Sequence, residues 1–128
     1  VSATPTKPLA VLAIDETLSM LAAASIEATR DAGAFYPQPI GVLVGLPTLL
    51  RRLQGGRVYS IPVLIVSGDP LNAEGSVDRI YAVADDVALV LRADAYRPSS
   101  YRSSSNAEPL PAIELLVTVS ISEQEAPL

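Results

Sequence analysis

From Ala112 to Ser122 this 128-residue chain places Ile113, Leu115, Val117, Val119 and Ile121 on every second position. Successive side chains of a strand point to opposite faces, so this spacing buries one face and turns Glu114, Thr118 and Ser120 to the other. That is the pattern of a half-buried antiparallel strand, and it commits the chain to a sheet with one face covered. A second segment, Val58-Tyr-Ser-Ile-Pro-Val-Leu-Ile-Val66, is still more apolar. Its Pro62 cannot donate a ladder hydrogen bond, which predicts a bulge or an edge position there.

The cover for such a sheet comes from two helical patterns. Between about Pro8 and Arg30, Val11, Ile14, Leu18, Leu21 and Ala28 recur at helical spacing, with Glu16, Ala23, Glu27 and Arg30 on a more polar face. Pro8 suits a first turn and Gly33 a stop. Ser76 is a good N-cap for a second helix that buries Ile80, Val83, Val87, Val90 and Leu91. Asp78 in its first turn and Arg92 in its last favour the helix dipole.

Shorter elements fill in the rest. Ile40 to Gly45 is a β-rich run between Pro39 and Pro47. Leu49 to Leu53 and Arg57 to Ser67 flank Gln54-Gly55-Gly56 and read as a hairpin. Ser67 to Gly75 is a loop. Asp94 to Pro111 is a long polar segment with Tyr96, Pro98, Tyr101 and a serine run, carrying at most one further strand. Residues 1–7 read as a loose arm and 123–128 as a polar tail. The expected fold is a single α+β domain: a mostly antiparallel sheet of four to five strands flanked by two helices, in the order α-β-β-β-α-(β)-β.

Composition narrows the chemistry. Hydrophobic residues make up 49% but aromatics only 5%, so the core must be aliphatic. With no cysteine, disulfides and thiolate metal sites are impossible, which fits a reducing compartment. With no histidine, the commonest general base and metal ligand is gone. The only lysine, Lys7, lies in the arm, so the many serines lack a basic partner and read as caps and loop residues. Asp15/Glu16 and Asp85/Asp86 are adjacent on helices and point apart. Asp69, Asn72 and Glu74 do not have the spacing of a calcium loop, and Gly55-Gly56 does not precede a helix as a phosphate-binding loop would. No catalytic, metal or cofactor site is expected.

The chain begins with a polar stretch and its first apolar run is cut by Asp15 and Glu16, unlike a secretory signal. The longest charge-free run, Ala32 to Leu50, is broken by three prolines and three glycines, unlike a membrane helix. A soluble protein is expected.

Net charge is −5 and uneven: residues 1–64 hold five basic and four acidic residues, residues 65–128 four and ten. No overall basic footprint for nucleic acid is present. Locally, Arg51, Arg52 and Arg57 gather at the hairpin. Arg51 and Arg52 point to opposite faces as strand neighbours. A basic hairpin on an acidic protein suits an acidic protein surface, including another part of this same protein.

Several phrases in order give the chain a resemblance. They are Gly41-Val-Leu-Val-Gly-Leu-Pro47, Tyr59-Ser-Ile-Pro-Val-Leu-Ile-Val66, Ser67-Gly-Asp-Pro-Leu-Asn72, Val77-Asp-Arg-Ile-Tyr81, Tyr96-Arg-Pro-Ser-Ser-Tyr101 and Pro109-Leu-Pro111. From about residue 10 to 122 the chain resembles the tail terminator (tail completion) proteins of long-tailed bacteriophages, most of all those of actinobacteriophages. The resemblance implies a virion structural protein, not an enzyme and without cofactor, at the tail–neck junction and assembled in the host cytoplasm. It implies a homo-hexameric ring that ends tail-tube polymerisation, with the tube protein on one face and a head-side neck protein on the other. Candidate contact residues are Arg51, Arg52, Arg57, Pro62, Asp69, Tyr96, Arg97, Tyr101 and Arg102. Another neck component, a stopper or adaptor, is the alternative. A small ligand-binding or hydrolytic domain using the loops at 67–75 and 94–111 is a third reading.

Overall fold

The computed structural model describes residues 7–31, 35, 37, 40–68, 75–102 and 109–122. Along the chain run α1 (Leu9–Ala23), β1 (Ile40–Val44), β2 (Thr48–Leu53), β3 (Gly56–Ser67), α2 (Ser76–Leu91), β4 (Tyr96–Tyr101) and β5 (Leu110–Ser122). The strands form one antiparallel sheet in the order β1-β3-β5-β4, with β2 also paired to β3. This is the expected α+β fold, with the bracketed strand present.

The central strand β3 sets the plan. On one side it pairs with β5 from Gly56 to Val66. On the other it changes partner midway: β2 lies along Gly56–Ser60 and β1 along Val63–Ser67. The strict alternation in β5 does what it promised. Ile113, Leu115, Val117, Val119 and Ile121 join Tyr59, Ile61, Val63 and Ile65 of β3 and Val42 and Val44 of β1 in one core. Leu9, Ala13, Ile14 and Leu21 of α1 and Ile80, Ala84, Val87 and Leu91 of α2 cover them from a single face. Thr17 is wholly buried in this layer, its hydroxyl donating to the Ala13 carbonyl at 2.9 Å. Removing a side chain such as Ile61 would cost about 2–5 kcal/mol in so aliphatic a core.

Among the described residues, the other face carries an aromatic cover at one end. Gly41, Val66, Ala112 and Ser99 form a cross-strand row. Over it the Phe35 ring stands edge-on to Tyr101, centroids 5.3 Å apart. A Cβ on Gly41 would lie 2.7 Å from the Phe35 ring, so only glycine admits it.

Four local expectations are corrected. Pro62 is neither bulged against β5 nor on an edge strand: it stands opposite Leu116 in an unbroken register. Its carbonyl accepts from the Gly45 N–H at 2.8 Å, so its backbone points away from β5 into the gap between β1 and β2. The missing donor faces a break in the sheet, where no ladder bond is lost. The close fit leaves no room for a side chain at residue 45, where a Cβ would sit 2.8 Å from Pro62 Cγ.

The first helix stops at Ala23, not near Gly33. Ser25 takes a left-handed conformation (φ 62°), its N–H donating to Ala22 and that of Ile26 to Leu21. This is a Schellman closure, with Ile26 turned back against the core. Val11 and Leu18 are accordingly half-buried at the flank of α1. The second helix is entered from Gly75, and Ser76 is its first residue, buried, accepting from Arg79 at 3.2 Å. Arg92 lies past the last turn in the left-handed region (φ 56°), closing α2 as Ser25 closes α1. Within the segment 94–111, the bracketed strand of the expected order is β4, Tyr96–Tyr101, paired with Leu110–Leu115.

Candidate interaction surface

The hairpin of β2 and β3 is closed by Gln54 and Gly55, the glycine at φ 77°. Gly56 already belongs to β3 and approaches the Ile121 carbonyl so closely that a Cβ would lie 2.7 Å from it. All six residues of β2 are exposed. The run from Leu46 shows four leucines to solvent: Leu46 is 82% exposed, Leu49 41%, Leu50 55% and Leu53 46%. Leu50 lies at a bulge, where the register steps from Leu49 to Arg51.

Beyond the bulge Arg51 stands opposite Val58 and Arg52 opposite Arg57, so Arg51 and Arg52 do face opposite ways. Arg52 and Arg57 form a like-charge cross-strand pair, an arrangement that destabilises a hairpin unless something answers it. None of the three arginines has a carboxylate partner among the described residues. They are uncommitted charge.

The residues singled out on β4 have partners within the chain. Tyr96 donates to Asp85 Oδ1 at 2.5 Å and leans on the Tyr81 ring. That hydrogen bond, with lesser help from desolvation and the Asp85 charge, holds the phenol above its ordinary pKa. Arg97 meets Glu114 across the strand pair, its Nη2 and Nε at 2.7 and 3.0 Å from Oε1. Tyr101 is engaged with Phe35, and Arg102 is exposed just beyond β4. Pro62 is in the sheet interior, as described above. Asp69, with Asn72 and Glu74, lies outside the described residues.

A further feature carries no sequence signal of its own. Strand β4 stops opposite Leu115, while β5 continues to Ser122. Beside the uncovered stretch runs an open groove of about 580 Å³, bordered by Glu16 and Met20 of α1, Asp94, and Leu116 to Ser120. Leu116 is 59% exposed there. Because Pro62 turns its backbone away from β5, the facing Leu116 turns its N–H and C=O away from β3, and alternation gives Thr118 and Ser120 the same outward direction. No described strand meets them. Only the order of strands reveals such an edge, and a single pattern of residues does not encode that order.

Among the described residues no group of three or more His, Cys, Asp or Glu could hold a metal ion. No helix among them is long and apolar enough to cross a membrane. Neither the protein-family models nor the curated proteins contain a match to this chain.

Proposed function

We propose that this chain is a non-enzymatic virion subunit of the tail-terminator kind. Six copies form a ring that caps the tail tube of a long-tailed bacteriophage, stops its growth and offers the head-side neck protein a docking surface. The observation that carries the reading is the β2 arm: Leu46 before the strand and Leu49, Leu50 and Leu53 on it are exposed beside Arg51 and Arg52, Arg57 stands opposite on β3, and none of the three arginines has a carboxylate partner among the described residues. A contiguous apolar and basic strand of this kind belongs to a contact surface, since a free monomer gains nothing from exposing it. The resemblance along residues 10–122 supplies the assembly, and the α-β-β-β-α-β-β order is compatible with it.

Light scattering after size exclusion, on the chain alone and with the tube protein added, tests the reading. A mass of six copies, or rings at one end of the tubes in electron micrographs, is the expected result. A chain that stays monomeric with tube protein present and leaves tube length unchanged overturns it. Location in the virion on the portal side, away from the tube, would favour the stopper or adaptor.

A further inference from the structure

In the half of the sheet built from β2, the first part of β3 and the end of β5, the layer is only three strands wide. Among the described residues it is open on both sides. The outer edge of β2 pairs with no described strand, nor does the Leu116–Ser120 edge of β5. A head-to-tail contact joins two different surfaces of the same molecule, and two open edges at one level of a sheet are such a pair. Resting on the ring reading above, we propose that β2 of one copy docks along the Leu116–Ser120 edge of the next, so that the sheet continues from copy to copy.

The chemistry of the two edges fits. The β5 edge offers the outward N–H and C=O groups of Leu116, Thr118 and Ser120, and strand addition satisfies both partners' backbone groups at once. Side chains of an added strand would alternate between Met20 and Glu16 on the helix side and Leu116 on the open side. The incoming strand brings leucines and arginines to this apolar and acidic lining. Glu16, Asp94 and Glu114 are the acids of the groove; Arg92 and Arg97 also border it, Arg97 and Glu114 being paired with each other. Arginines on an edge strand also serve to repel unwanted pairing. Protection alone does not account for three exposed leucines on β2 and a fourth, Leu46, just before it.

The chain lacks cysteine, so engineered thiols report cleanly. Copies carrying Thr118→Cys are mixed with copies carrying Thr48→Cys or Arg51→Cys, positions on the same face of the sheet as Thr118, and mildly oxidised. The expected product is a mixed disulfide dimer that forms in the mixtures and not in either variant alone. A second variant, Thr118→Pro, removes only an outward N–H and leaves the β3 pairing intact, so the fold should persist by circular dichroism while self-association falls at least tenfold. If the chain still forms rings, but Thr118→Pro assembles normally and no mixed disulfide appears, this inference is overturned and the ring reading stands. If neither cross-links nor rings form, with or without tube protein, both fall.

Discussion

At the scale of single residues, the charges were legible and their partners were not. Arg51, Arg52 and Arg57 could be picked out because their clustering is a property of the sequence. That Tyr96 would meet Asp85, or Tyr101 the ring of Phe35, depends on where β4 lies in the sheet. The Tyr96 contact has a consequence in alkaline solution. The hydrogen bond to Asp85 is made by the neutral phenol and is lost on ionisation, so the folded pKa is raised above the unfolded value of about 10. Stability from this contact is therefore fully present below that value and disappears as pH rises through the higher folded pKa. In a titration of phenolate absorbance, Tyr96 should ionise later than an ordinary tyrosine, and Asp85→Asn should bring it back towards the usual value. The difference in denaturation midpoint between the chain and Asp85→Ala should be flat up to about pH 10 and shrink above it. A Tyr96 that titrates identically in both chains would refute the assignment.

At the scale of elements, periodicity located both helices and the two long strands of the sheet, because each buries one face at its own period. It did not locate the end of α1. Ala24, Ser25 and Ile26 fit a helical pattern by composition, and only the backbone shows Ser25 turning left-handed to close the helix. Strand β4 was obscured for a related reason. Tyr-Arg-Pro-Ser-Ser-Tyr has no alternation, and it becomes a strand because β5 gives it a ladder while Pro98, on an edge strand, turns its nitrogen outward. The left-handed serine makes a prediction. A non-glycine residue there costs about 1–2 kcal/mol, and glycine would return about 0.5–1 kcal/mol of that through unfolded-chain entropy. Ser25→Gly should therefore raise stability by about 0.5–1 kcal/mol in urea denaturation. The same change inside the helix, Ala22→Gly, should lower it by about 1 kcal/mol. A loss of stability at Ser25 would mean the closure does not govern the end of this helix.

At the scale of the whole molecule, the patterns called for one covered sheet face, and both helices do pack there. What they could not say is which strands lie at the rim, since that follows from pairing order. The rim is where the arms of this molecule are, and it poses a question of magnitude: whether leucines or arginines drive the association proposed above. Burying a leucine is worth about 1.5–3 kcal/mol, so the half still exposed at Leu50 and Leu53 offers about 1 kcal/mol each. Exposed ion pairs give about 0.2–1 kcal/mol apiece and are screened as the Debye length falls from about 10 Å to about 3 Å between 0.1 and 1 M salt. The leucines should win. Leu50→Ser with Leu53→Ser should weaken self-association about thirtyfold, with little change in the unfolding midpoint, because both side chains already face solvent. Raising salt over that range should weaken the unmodified chain about tenfold at most, since added salt also strengthens apolar burial. Sedimentation across a dilution series reads both effects. Dissociation by salt that exceeds the effect of the leucine changes would show that charge, and not apolar contact, holds the copies together.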